Sequence, residues 1–414
     1  MPATVSASLS LAIPRVFPVN SSWETCSRLE SPHLVHVLVT ERCNLRCSYC
    51  YQHHRSRVRD LHPDAVRETL FRTLADLPAK RCVCVRFFGG EPLLAFDQLA
   101  ALKSDTDAFW RRLGRPCTNL RYGITTNGTC FNARIKRWLT ANPDVTPALS
   151  LDGTAAVHDA NRSSSYARIA PHLEFMRRYR EPVKMTIGPA SVGQVAASVR
   201  HIHALGFECQ ANLVFENVWG TEDEKRRHLQ AFGADLAALV AFYRRHPEFR
   251  RTTLLLPLPS RLRDGDGDDG DALPPPPCGL GRNVVAIDVD GALWPCDRIA
   301  PYLGSGGSVC AERRVSFQPV ACRRCPLQPA CPECRAANAE EHGDPDHKTT
   351  YHCEFTQLQL RASALLSLHD LVEFGERIPI QQLQHDDKAF LAGRLAVAQR
   401  ILDVTQPLVD RLSS

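Results

Sequence analysis

No apolar run in the 414 residues approaches the ~20 that a membrane-spanning helix needs, so a transmembrane protein is not expected. A strong charge bias is also missing. Lys and Arg total 50 against 45 Asp and Glu, a net charge of +5, and the arginines are scattered rather than gathered into a stripe. Nucleic-acid binding is therefore not expected. The small apolar patch at 9–13 has no Lys or Arg before it, which argues against a signal peptide. The acidic run at 264–271 has Asp269 and Pro275 where a calcium loop needs glycine and glutamate, so it reads as a linker ahead of the proline spacer 274–277. What the sequence does hold is cysteine. Seventeen is too many for an ordinary cytosolic chain, and the chain is too long for a small disulfide scaffold. An odd count with C-x-x-C pairs favours metal or cluster ligation in a reducing cytoplasm.

Cys43, Cys47 and Cys50 follow an apolar stretch at 34–40, with Tyr49 between the last two. Three thiolates from one loop can hold three corners of a four-iron cluster and leave one iron open. Three buried thiols or a zinc knuckle is the competing reading. Strands are predicted at 34–40, 82–88, 120–125, 148–151, 183–187 and 208–215, with amphipathic segments between them. A helix is predicted from an N-cap at Asp64 to about Leu77, with Val66, Leu70 and Leu74 on one face. Alternating strands and helices give a parallel sheet, and six units are too few for a closed eight-stranded barrel. The second strand ends in Gly89-Gly90-Glu91-Pro92, where two glycines let backbone approach a ligand closely. The third ends at Thr126-Asn127 and the fourth at Ser150-Leu-Asp152-Gly, with His158, Asp159 and Arg162 beyond. Carboxyl ends of strands are where parallel α/β folds place ligands.

The cysteine triad is the radical S-adenosylmethionine (SAM) signature, and residues 34–216 resemble that superfamily: an open, partial (β/α)6 barrel of the TIM type. The resemblance implies that Cys43, Cys47 and Cys50 hold a [4Fe-4S] cluster whose open iron is chelated by SAM. It implies further that electron transfer yields a 5′-deoxyadenosyl radical. Tyr49, Gly89, Gly90, Glu91, Pro92, Thr126, Asn127, Ser150, Asp152, Arg162 and Asn212 are the expected SAM-site residues.

From 278 the composition changes. Cys278, a turn signal at Asp288-Val-Asp-Gly291, Cys296, then Cys322, Cys325, Cys331, Cys334 and Cys353 resemble the SPASM extension, which holds auxiliary clusters. Carried over, Cys322, Cys325, Cys331 and Cys353 ligate one [4Fe-4S] cluster. Cys278, Cys296 and Cys334 hold another, with Asp297, Cys310, water or a substrate thiolate as its fourth ligand. The chain departs from the family in the closer spacing of Cys331 and Cys334 and in lacking a second cysteine soon after Cys278. Two zinc sites are the competing reading. Domains are expected at 1–33 (extension), 34–216 (barrel), 217–277 (bridging helix and linker), 278–354 (auxiliary clusters) and 355–414 (helical tail). The segment before residue 34 is too short for the winged-helix peptide-docking domain of many peptide maturases.

The string Val214-Phe-Glu-Asn-Val-Trp219 and Cys278-Gly-Leu-Gly resemble peptide maturases whose targets carry C-x-x-x repeats. The expected activity is cross-linking of a ribosomally synthesised precursor peptide, thioether before carbon–carbon, with an external electron donor of flavodoxin or ferredoxin type. Sulfatase-maturase-like oxidation of Ser or Cys is the neighbouring reading, with Asp152 or Asp159 as base, followed by a small-molecule radical SAM reaction. A non-catalytic iron–sulfur or zinc protein that binds a peptide by strand addition is the alternative of another class. The sequence does not fix the oligomeric state.

Overall fold

The computed structural model describes residues 32–54, 58–263, 283–298, 322, 324–345, 347–377 and 385–413. Cys26, Cys278, Cys310 and the acidic and proline stretches lie outside them.

Six parallel strands appear in chain order: β1 (His33–Thr40), β2 (Val83–Gly89), β3 (Leu120–Thr126), β4 (Val145–Leu149), β5 (Val183–Ile187) and β6 (Cys209–Leu213). The main crossover helices are α1 (Pro63–Asp76), α2 (Phe96–Arg112), α3 (Ala133–Ala141), α4 (Ala155–Asn161) and α5 (Val195–Ala204). Strands β1 to β4 pair continuously, and β5 pairs with β6. The two groups meet through a Ser150–Lys184 bridge and a hydrogen bond from the Leu151 N–H to the Lys184 carbonyl at 2.9 Å. The barrel is therefore open, as the six-unit count implies.

Alternation sets the layers. Val35, Val37 and Val39 on β1 and Val83, Val85 and Phe87 on β2 join Val66, Leu70 and Leu74 of α1 in one buried core. Each such side chain contributes about 1.5–3 kcal/mol when fully buried. The intervening strand positions face the barrel interior.

Several boundaries differ from those predicted. Helix α1 begins at Pro63 with His62 as a cap that makes no side-chain bond, and Asp64 lies inside the first turn. Strand β4 starts earlier, at Val145, and includes Pro147. Only its β3 side is fully paired, so the missing proline N–H costs no ladder bond there. Cys82 precedes β2 and is disulfide-bonded, while Cys84 is a buried free thiol.

Helix α6 (Glu222–Arg245) opens with a capping box between Thr221 and Glu224. Beyond it the cysteine-rich segment returns to the barrel. Strand β7 (Val284–Ile287) pairs in parallel with β1, and β8 (Leu293–Trp294) folds back on β7. The predicted turn makes this hairpin: the Asp288 carboxylate accepts the N–H groups of Asp290 and Ala292, and Gly291 has φ +82°. Helix α7 (Arg335–His342) follows, and then the two long tail helices α8 (Cys353–Arg377) and α9 (His385–Ser413) pack against each other. Phe355 and Leu358 of α8 and Leu408 of α9 join the barrel core. No described helix is long and apolar enough to cross a membrane.

Candidate active site

The triad lies on the loop leaving β1, at the carboxyl end of the barrel. Its thiols are unbridged. Their charges bear on one another, and burial pushes the Cys47 thiol up to about 11 and raises that of Cys43. Such groups stay protonated thiols near neutral pH until a cation binds them. Two neighbours point N–H groups at the sulfurs: Asn127 Nδ2 toward Cys43 at 3.9 Å and Arg162 Nη1 toward Cys47 at 4.0 Å. Backbone pins hold the loop. Ser48 N–H donates to the Asn161 carbonyl at 3.0 Å, and Arg46 N–H to the Ser163 hydroxyl at 2.8 Å. Three thiols with N–H donors around them are a donor set that fits an iron–sulfur cluster.

Gly89 and Gly90 act on the loop itself. A Cβ on Gly90 would sit 2.2 Å from the Arg42 carbonyl oxygen, and one on Gly89 2.1 Å from that of Thr40. The Gly90 and Glu91 N–H groups donate to those same two residues, Thr40 and Arg42, at 3.0 and 2.8 Å. The close approach read from the sequence is thus an approach to the cluster loop. Glu91 is fully buried and accepts from Leu93 N–H, the Thr126 hydroxyl and Asn127 N–H at 3.1, 2.8 and 2.7 Å. It ties the strand ends of β2 and β3 together. Burial raises its carboxyl to about 7 against those hydrogen bonds.

Across the opening, Arg162 forms a buried ion pair with Asp152 at 3.0 Å and lies over the Tyr49 ring, whose hydroxyl donates to the same carboxylate. Asp152 also accepts from Thr186 N–H at 3.1 Å. His158 is buried and driven down to about 4, so it is neutral. It accepts the Asp152 N–H at Nδ1, which leaves the Nε2 proton for the Ser165 hydroxyl at 3.0 Å. Asp159 accepts Tyr166 N–H at 2.7 Å. These two are loop supports rather than open groups, and Asp152 is committed to Arg162. Ser150 is buried beside this network, and Asn212 is exposed toward the barrel interior from β6.

A second group of residues gathers under the hairpin. Asp297 follows Cys296, and both its oxygens are engaged, Oδ1 by His36 Nδ1 and Oδ2 by the Tyr51 hydroxyl, each at 2.8 Å. Burial works against its charge, but the His36 and Tyr51 contacts hold it below the ordinary carboxylate range. Ligation by Asp297 would therefore compete with its hydrogen bonds to His36 and Tyr51. Arg298 stacks over Tyr51, pairs with Glu216, and reaches Cys334 Sγ at 3.8 Å, while its own N–H reaches Cys296 Sγ at 3.4 Å. Sequence reasoning missed His36, Tyr51, Arg298 and Glu216, because no local pattern marks residues drawn from four distant segments.

Cys322, Cys325, Cys331, Cys334 and Cys353 line one cavity of about 330 Å³ with Phe215, Glu333, Lys348 and His352. That is room for roughly ten waters at ~30 Å³ each. Burial pushes the Cys331 thiol up to about 11. His352 Nε2 bonds the Phe215 carbonyl at 2.8 Å, so the cavity wall is anchored to the segment that leaves β6. Trp219 of that segment is buried against Phe355. Among the described residues no three Cys, His, Asp or Glu side chains converge tightly enough for a single metal ion.

Residues 37–214 match the Radical SAM superfamily. The cysteine-type anaerobic sulfatase-maturating enzyme of Clostridium novyi (strain NT) is 27% identical over 152 residues, 34% of this chain and 39% of that protein. GTP 3′,8-cyclase 2 of Mycobacterium tuberculosis (strain ATCC 25618 / H37Rv) is 32% identical over 167 residues, 39% of this chain and 42% of that one. The matches thus span about two fifths of these relatives. Among solved structures, native anSMEcpe with bound AdoMet superposes with a TM-score of 0.62 at 17% identity, covering 82% of this chain and 100% of that one. SuiB of Streptococcus suis bound to S-adenosylmethionine gives a TM-score of 0.52 at 14% identity, with 78% of each chain covered. The family match runs from β1 to the end of β6, over the strands that carry the triad loop, Gly89–Pro92 and the Asp152–Arg162 pair. Over residues 37–214 the chain is thus similar to the radical SAM superfamily of enzymes, whose cofactors are a [4Fe-4S] cluster and SAM.

Proposed function

We propose that the chain is a peptide maturase that takes a hydrogen from a residue of a ribosomally made precursor peptide and closes a cross-link, a thioether first and a carbon–carbon bond second. One observation carries this reading: the cavity lined by five cysteines, joined to the barrel through Phe215 and His352. A cross-link formed after hydrogen abstraction leaves one electron to remove, so a second electron-accepting site is needed. Similar folds come from SuiB bound to the precursor peptide SuiA and from anSMEcpe bound to AdoMet and the Cp18Cys peptide, which supports a peptide substrate.

When bound, the triad cluster and SAM supply the 5′-deoxyadenosyl radical, with the electron drawn from an external donor of flavodoxin or ferredoxin type. The chain's own residues do the rest. Cys43, Cys47 and Cys50 would hold the cluster, and the wall from Gly89 to Pro92 with Asn127 would fix the loop. Tyr49, Ser150, Asp152 and Arg162 would form the opposite side of the SAM site, with Asn212 on the barrel interior. Cys322, Cys325, Cys331 and Cys353 are assigned to one auxiliary cluster, and Cys278, Cys296 and Cys334 to a second.

A second reading is oxidation of a Cys or Ser side chain, which the similarity to the cysteine-type sulfatase-maturating enzyme of Clostridium novyi supports.

The test is anaerobic turnover with SAM, reductant and candidate peptides, read by mass spectrometry. Cross-linking removes a hydrogen pair and keeps sulfur, whereas oxidation of Cys in the sulfatase manner loses sulfur. Cys331→Ala should abolish either product while leaving uncoupled 5′-deoxyadenosine formation. Full product formation by that variant would overturn the role of the cavity.

A further inference from the structure

Lys348 stands on the wall of the cysteine-lined cavity and is only 7% exposed. Its ammonium lies within electrostatic reach of Cys331, Glu333 and Cys322 on the same wall. Burying an ammonium is costly unless a counter-charge repays it. Glu333 is the sole carboxylate among the residues lining the cavity, and it accepts a hydrogen bond from Asn338 at 3.1 Å. Four neutral thiols would repay little, whereas four thiolates around a cluster carry a net negative charge that grows when an electron is added. A fixed, buried cation beside the cluster stabilises the more negative state most, because screening there is weaker than in bulk water. Net charge and hydrogen bonds to sulfur are two of the factors that set cluster potentials.

We propose that Lys348 sets the reduction potential of the cluster held by Cys322, Cys325, Cys331 and Cys353, favouring its one-electron-reduced form. The step is the gain of one electron by the cluster with no proton taken up, and the electron is the one released when the peptide product forms. Lys348 is thus a positioning charge, not a catalytic residue. The inference rests on the assignment of an auxiliary cluster to this cavity.

The experiment is an EPR-monitored redox titration of anaerobically purified full-length protein. It uses a Cys47→Ala background, so that the triad cluster does not contribute. Lys348→Met should keep the iron and sulfide of the parent but lower the midpoint potential at least tenfold in equilibrium constant, 59 mV for a one-electron couple. Lys348→Arg should stay close to the parent, and Glu333→Gln should move the potential upward. An unchanged potential in a fully loaded Lys348→Met protein would overturn the proposal while leaving the cluster assignment intact. If Lys348→Met fails to load iron, Lys348→Arg decides. Arginine that loads and keeps the potential, with the upward shift of Glu333→Gln, supports the charge role, and arginine that also fails to load overturns it. Absence of any four-iron signal in the parent, with zinc in its place, would overturn the auxiliary-cluster reading and this proposal together.

Discussion

Glu91 holds its proton about two to three units higher in pH than an ordinary glutamate, since burial raises it from 4.5 to about 7. The folded protein therefore binds a proton that the unfolded chain has already released between those values. Its contribution is full below about 4.5 and is lost as pH rises through about 7, at most about 3 kcal/mol at 1.36 kcal/mol per unit. His158 acts in the opposite sense. Its folded value, about 4 against 6.5, means that stability falls as pH drops below 6.5. The two slopes offset each other in weak acid, so only a difference measurement isolates Glu91. In Glu91→Gln the gap in denaturant midpoint from wild type should narrow as pH rises from 5 to 8, on top of a constant loss from an amide N–H facing Asn127 N–H. A gap that does not change with pH would mean that Glu91 is ionised throughout. The residue type and place of Glu91 were legible in the sequence as part of a Gly-Gly-Glu-Pro strand end. Its engagement was not, because two of its donors, Thr126 and Asn127, lie at the end of β3, some 35 residues away.

At the scale of elements, the triad loop keeps its shape because the end of β2 lies directly against it. Gly90→Ala would put a methyl carbon 2.2 Å from the Arg42 carbonyl oxygen, and the backbone at both residues is held by hydrogen bonds. The loop must then move, and with it Cys43. We expect Gly90→Ala to lose the iron of the triad cluster and SAM cleavage while keeping iron elsewhere. Normal loading would show that the loop yields at little cost. The strands were readable from their Val- and Leu-rich runs, and the hairpin from its Asp-Gly turn, because both signals are local. The docking of β7 on β1 was not readable, since the paired residues Leu34 and Val284 lie far apart in the chain. Nothing in either run of residues encodes that choice of partner except the unpaired edge of β1, which exists only once the barrel has formed.

For the whole molecule, the question is whether the cysteines act as one electron path or as separate sites. The tail helix α8 begins at Cys353 and plants Phe355 in the barrel core, and the segment after β6 supplies Phe215 to the cavity and Glu216 to Arg298. Arg298 in turn meets both Tyr51, next to the triad, and Cys334. The auxiliary region is thus built from the barrel's own exits, and its loading should depend on the barrel's fold but not on the triad's thiols. Three four-iron clusters predict about twelve irons and as many sulfides per chain. Cys47→Ala should bring this to about eight, with 5′-deoxyadenosine formation abolished, and Cys331→Ala should also bring it to about eight, with that activity kept. The double variant should retain about four, the sum of two independent losses. Collapse of all iron in either single variant would mean that the sites assemble as a unit. About four irons in the wild type, with zinc making up the rest, would leave the radical chemistry in place and remove the electron acceptor on which cross-linking depends.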